Sequence, residues 1–285
     1  MKNQIKRVLV LLLLIAFNST NAQVLDGLVK SAEKKVKEKV NKELKKDTDE
    51  KQKKSKVVKK ASEFEPANTV VFQEDFSKDK LGTFPASMMT SSSGEVVEID
   101  NQKWLQLGGS GAFTFKDVNK GKPFSQEFTL EFELYATDDF VYGSKELGLV
   151  LAESKNLKKD FSLWGENRNG SNGLKVGFHP IEFGDKNKGQ TRFFAYKGGL
   201  ETQKVEKTQN HFTIEKNKVK VQVKRTAERI MVFIDGVKIW DNQNAFDANK
   251  SYNAIVFTTG EYKGENEFYI TNIKYSEQRE IEEPK

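Results

Sequence analysis

From Lys218 to Asp241 the chain reads KVKVQVKRTAERIMVFIDGVKIWD, with Val219, Val221 and Val223 alternating with Lys218, Lys220, Gln222 and Lys224. Successive side chains of an extended chain point to opposite sides, so this period of two predicts a strand with one buried and one wet face. Thr226-Ala227-Glu228 interrupts the run, and a second strand begins at Arg229. There Ile230, Val232 and Ile234 share one face while Met231 and Phe233 share the other, which predicts a strand covered on both sides. Asp235-Gly236 supplies the positive-φ positions of a tight turn, so Val237-Lys238-Ile239-Trp240 is expected to return antiparallel.

The same signal recurs beyond Glu65-Pro66. Strands are predicted over 69–76, 95–100, 103–107, 112–116, 127–136, 147–153, 160–166, 173–179, 191–197, 211–215, 252–259 and 267–276. Between them lie turn-forming clusters such as Ser92-Ser93-Gly94 and Lys197-Gly198-Gly199. Phe128, Leu130, Phe132 and Leu134 alternate with Thr129, Glu131, Glu133 and Tyr135, giving one dry face and one acidic, wet one. Many short strands at regular spacing, with phenylalanine recurring on their apolar faces, predict an all-β antiparallel sandwich over 66–277, followed by an acidic tail over 278–285.

The N-terminal residues follow other rules. Lys2, Lys6 and Arg7 precede the apolar run 8–17, and Thr20-Asn21-Ala22 offers a cleavage site, so 1–22 is expected to be a secretory signal peptide. Its apolar core is too short to anchor in a bilayer, and no later run is long enough to cross one, so no transmembrane segment is expected after cleavage. Leu25, Val29, Ala32, Val36, Val40 and Leu44 then recur at helical spacing within 23–46, one thin stripe on an amphipathic Lys-rich helix. Such a stripe suits self-association, contact with an anionic envelope surface, or a solvated spacer. Residues 47–65 form a charged linker. The formal charge of +6 divides into +3 over the signal, +7 over 23–60 and −4 over the rest. The basic character thus belongs to the front end and not to the predicted domain, which argues against a nucleic-acid partner. With no cysteine and only His179 and His211, disulfides and thiolate metal sites are excluded and a zinc site is not expected.

The stretches VVFQEDFSKDKLGTFPASM (70–88), EFTLEFEL (127–134), VKVQVKRTAERIMVFIDGVKIWD (219–241), YNAIVF (252–257) and NEFYITNIKYSE (266–277) resemble concanavalin A-like, LamG-like jelly-roll sandwiches. In particular they resemble the sandwich that precedes an OmpA-like peptidoglycan-binding domain in some Gram-negative envelope proteins. No OmpA-like domain is expected before Lys285, so attachment to the cell wall does not carry over. The resemblance implies an exported protein of the periplasm or cell envelope whose ligand is a glycan or another envelope polymer.

The superfamily also contains glycoside hydrolases that carry E-x-D-x-x-E on one strand. Here Glu98-Ile99-Asp100 matches the first half, but Asn101-Gln102-Lys103 follows and the last acid is missing. Glu131 and Glu133 share a strand face with Cα atoms about 6.6–6.8 Å apart, from the rise per residue, and are expected on a solvated face near lysines. Exposed aromatic rings suit sugar faces, so Trp164, Trp240 and Tyr135 are the candidate platform, with Glu131 and Glu133 beside it. A structural calcium, if present, would use Asp75, with Glu74 or Asp235 as further candidates. The expected protein is a non-enzymatic binding module with no required cofactor.

Overall fold

The computed structural model describes residues 63–165, 172–183 and 185–280. All of them belong to the second of two compact units, Ala61–Lys285. The expected signal peptide and amphipathic helix lie outside the described residues.

Fifteen strands are described: β1 (Thr69–Glu74), β2 (Met88–Thr90), β3 (Gly94–Ile99), β4 (Gln102–Leu107), β5 (Ala112–Phe115), β6 (Glu127–Ala136), β7 (Leu147–Ala152), β8 (Asn172–His179), β9 (Gly189–Lys197), β10 (Leu200–Gln209), β11 (Lys218–Thr226), β12 (Arg229–Ile234), β13 (Val237–Asn242), β14 (Ala254–Thr259) and β15 (Phe268–Glu277). They form two antiparallel sheets. The first runs β13-β12-β11-β6-β15-β4-β3, with β1 also on β15; the second runs β10-β9-β8-β7-β14-β5-β2. One flank of β15 is shared: Phe268–Ile270 pair with β4, whereas Ile273–Glu277 pair with β1. Asn272, at φ 50°, sits at the changeover, where a bulge offsets β15 against β6.

The central meander is built as its sequence pattern requires. Val219, Val221 and Val223 of β11 lie opposite Leu134, Phe132 and Leu130 of β6, and all six are buried. Asp235 and Gly236 take φ of 49° and 76°, the left-handed pair of a two-residue hairpin. β12 is covered on both sides: Ile230, Val232 and Ile234 join the core, and Phe233 on the other face meets Phe64 edge-on at 5.5 Å. Between the sheets, Phe132 packs against Phe178 at 6.4 Å and Phe257 at 5.1 Å. Each fully buried ring contributes about 1.5–3 kcal/mol. Among the described residues, no helix is long and apolar enough to cross a membrane.

Two local expectations are corrected, and two strands were not foreseen. The strand expected over 160–166 is absent over its described part, 160–165: a helical turn, α1 (Leu157–Asp160), runs into a 3-10 turn, Phe161–Trp164. A 3-10 repeat of three eclipses i and i+3, so Phe161 and Trp164 are buried together instead of alternating. Residues 211–215 form a turn, because the Gln209 side-chain oxygen accepts from the backbone N–H of His211 and of Phe212 at 2.6 and 2.7 Å. β10 was not predicted because its LETQKVEKTQ is polar and exposed almost throughout. β2 is too short to show a period.

Candidate functional site: a glycine-floored cleft on the second sheet

The outer face of the second sheet holds a cleft of about 580 Å³. Its floor is formed by Lys175 of β8, by Arg192, Phe194 and Tyr196 of β9, and by the end of β14 at Thr258 and Thr259. Its far wall is the 3-10 turn carrying Trp164, and the segments around Lys145 and Glu261 close the near end. Two of the lining side chains sit low because β8, NGLKVGFH, places Gly173 and Gly177 on this face. A Cβ on Gly173 would stand 2.7 and 2.9 Å from two carbons of the Trp164 indole, so the ring lies directly on the backbone. A Cβ on Gly177 would stand 2.5 Å from Glu146 Oε1 and nearer still to the other carboxyl atoms, so that carboxylate also rests on bare backbone. Trp164 meets Tyr196 of β9 edge-on at 5.6 Å, and Tyr196 stacks on Phe194 at 6.3 Å with 11° between planes.

Charge is ordered across this floor. Glu146, with its side chain 9 % exposed, pairs with Lys175 Nζ at 3.5 Å and Arg192 Nη1 at 3.3 Å. Arg192 also donates from Nε to Glu206 at 2.7 Å and from Nη2 to Gln190 at 2.6 Å. Burial pushes the Arg192 guanidinium down, but Glu206 and Glu146 more than offset it and the net shift is upward. Burial, with Glu201 and Glu146 nearby, pushes the Tyr196 phenol up to about 12. Its hydroxyl makes no hydrogen bond among the described residues. The cleft thus sets apolar rings, Trp164 and Tyr196 at 7 % and 8 % exposure, beside fixed charged donors and acceptors, the combination of apolar and polar groups that a sugar ring can use.

The sequence-predicted residues do not converge. Trp164 lines this cleft. Trp240 points into the core, 4 % exposed, and packs on Phe193 at 5.7 Å. The cause is a bulge in β13: Val232 pairs with Trp240 while Phe233 pairs with Lys238, so Ile239 is the extra residue and the phase reverses. Tyr135 lies on the outer face of the other sheet, stacked on Tyr269 at 5.3 Å, in company with Glu131 and Glu133. The three aromatics therefore share no platform.

Glu131 is also not on a solvated face. Its side chain is 4 % exposed, covered by Lys220 at 2.5 Å and Lys274 at 2.9 Å. Burial pushes its carboxyl up, but the two ammonium groups more than offset this and hold it below the usual range. Glu133 accepts from Asn272 at 2.9 Å and Gln102 at 3.2 Å.

The calcium candidates serve their own backbone. Asp75 accepts from the Ser77 N–H at 2.9 Å, Glu74 from the Phe76 N–H at 2.9 Å, and Asp235 from the Lys220 N–H at 2.8 Å. Among the described residues, no three His, Cys, Asp or Glu side chains are grouped to hold a metal. Asp100, the second acid of the partial hydrolase motif, sits in the β3–β4 turn at φ 53°.

Glu146, Lys175, Arg192, Phe194 and Tyr196 escaped sequence reasoning because they come from two separate strands, β8 and β9, and the loop before β7. One signal was present: two glycines four residues apart inside a single strand mark a place where something approaches the backbone closely.

No known protein-family profile matches the chain, and no curated protein matches it in sequence. Solved structures do. The carbohydrate recognition domain of Emp47p matches with a TM-score of 0.55 at 12 % identity, over 76 % of this chain and 100 % of that one. The exoplasmic/lumenal domain of VIP36, in its Ca2+/Man3GlcNAc-bound form, matches with a TM-score of 0.50 at 10 % identity, over 72 % and 91 %. A glycoside hydrolase family 16 endo-glucanase from Bacteroides ovatus matches more loosely, with a TM-score of 0.48 at 13 % identity over 72 % and 100 %. The likeness shows the fold, an antiparallel jelly-roll β-sandwich like that of these two domains and of the kind the sequence resemblance implied. At these identities the likeness defines architecture and not activity.

Proposed function

We propose that the protein is an exported, non-enzymatic binding module of the periplasm or cell envelope, and that it holds a glycan or another envelope polymer along the outer face of the second sheet. The observation that supports this most is the cleft itself. Trp164 and the Phe194–Tyr196 stack line an open trough, glycines of β8 seat the Trp164 ring and the Glu146 carboxylate directly on the backbone, and the polar groups are held in place by ion pairs. A fold in common with a carbohydrate recognition domain agrees with this reading. Binding without cleavage agrees with Glu146, whose carboxylate is committed to Lys175 and Arg192.

The test is a glycan array probed with the full chain and with Trp164→Ala, circular dichroism confirming that the variant is folded. Binding that depends on Trp164, with the bound glycan recovered intact, supports the proposal. Binding unaffected by the substitution moves the site elsewhere, and hydrolysed glycan makes the protein an enzyme. Association with envelope material that tracks the 24–46 segment alone favours a scaffold acting through that basic helix.

A further inference from the structure

β10 is the outermost strand of the second sheet, and its outer edge pairs with no strand among the described residues. The other end of that sheet is β2, only three residues long, whereas β10 runs for ten. A strand that long presents an open row of N–H and C=O groups, which proteins usually blunt with proline, shortness or charge. β10 contains no proline. It does carry charge, but in a self-complementary order, LETQKVEKTQ.

Opposite residues of an antiparallel pair lie on the same face, so a second copy can extend the sheet about a two-fold axis. With that axis at Val205, Lys204 of each copy faces Glu206 of the other, Gln203 faces Lys207, and the two Val205 side chains meet. Moving the axis to Lys204 or to Glu206 sets like charges opposite each other. Lys204 and Glu206 already lie on the outer face, beside Phe194 and bonded to Arg192 respectively. Val205, on the inner side and 42 % exposed, is the apolar residue that such pairing would cover.

We propose that β10 is a docking edge for a second copy of this chain, pairing antiparallel about Val205 to join two seven-stranded sheets into one of fourteen. The axis stands perpendicular to the sheet, so both clefts face the same way. If the cleft binds a polymer as proposed above, the dimer engages it at two points, which raises avidity without any new contact. The docking itself does not depend on that reading.

The experiment is sedimentation of the full chain as wild type, as Lys204→Glu, as Glu206→Lys, and as an equimolar mixture of the two variants, with circular dichroism to confirm folding. Wild type is expected at twice the chain mass. Each variant alone sets like charges opposite twice per dimer, raises the dissociation constant by at least about tenfold and runs as a monomer. The mixture restores both opposite-charge pairs and returns to the doubled mass. A monomeric wild type overturns the proposal. So do dimers that persist in both variants, which would place association elsewhere in the chain, and a mixture that stays monomeric.

Discussion

Replacing Gly177 with alanine isolates the physical reason for the cleft's shape. The added Cβ would occupy the place of the Glu146 carboxylate, well inside any real carbon–oxygen contact, and that carboxylate is the side chain pairing with Lys175 at 3.5 Å and Arg192 at 3.3 Å. The carboxylate must rise off the sheet. Hydrogen bonds to charged groups contribute about 1.5–3 kcal/mol. Alanine in place of glycine in a strand returns about 0.5–1 kcal/mol of chain entropy. The net expectation is a loss of about 1–2 kcal/mol, or roughly 2–8 °C in Tm for a domain of this size. Urea unfolding of wild type, Gly177→Ala, Glu146→Ala and the double variant closes a cycle. Once Glu146 is truncated the new methyl meets no carboxylate, so the double variant should be more stable than the two single losses predict by about 1 kcal/mol or more. Contacting residues couple in this way, whereas independent ones add within about 0.3–0.5 kcal/mol. Additive losses, or a Gly177→Ala variant more stable than wild type, would refute the placement of Glu146 on a bare backbone.

Other expectations follow from burial and charge. His179 is 4 % exposed, accepts the Ile181 N–H and donates to the Ser144 carbonyl at 2.9 Å; burial holds its pKa below the ordinary value. As pH falls through about 6.5 the unfolded chain takes up a proton that the folded imidazole refuses, so stability present above that pH is lost below it. His211 is depressed too and acts in the same direction, so urea midpoints between pH 8 and 5 should fall less steeply, not become flat, in His179→Gln. Asp241, held to about 2 chiefly by the Arg229 guanidinium and also by Lys238, stabilises the fold above pH 4 and loses that contribution as pH drops towards 2. After solvent screening the loss in Asp241→Asn at neutral pH is about 1 kcal/mol, vanishing near pH 2. Glu131→Gln should cost about 1–2 kcal/mol by removing the partner of Lys220 and Lys274, yet leave glycan retention unchanged, since Glu131 lies on the opposite sheet; weakened retention would put the site on the wrong face.

What the chain discloses depends on how far each element obeys a single period. The β11–β12 meander, with one face buried or both, declares itself in Val219-Val221-Val223 and in Ile230-Val232-Ile234. β10 has two wet faces, so nothing in LETQKVEKTQ alternates, and only its pairing to β9 makes it a strand. Trp240 was assigned to the wrong face because one bulged residue reverses the phase, and bulges leave no mark on hydropathy. Trp164 was chosen for a sound chemical reason but on a strand that does not exist; the 3-10 turn brings it to the cleft by a different route. Its partners Glu146, Lys175, Arg192 and Tyr196 are assembled by strand pairing across fifty residues. The register of β7, β8 and β9, not the order of the letters, brings them together.

All three indoles are buried, Trp104 at 0 %, Trp240 at 4 % and Trp164 at 7 % exposure, but of the three only Trp164 lines the cleft. Intrinsic fluorescence titrated with envelope polysaccharides therefore tests the proposed site most directly, with Trp164→Phe as the comparison. Saturable change in wild type that vanishes in Trp164→Phe, with the other two indoles silent, is the predicted outcome. An equal change in both proteins, or no saturable binding of any polysaccharide by the folded chain, would contradict it.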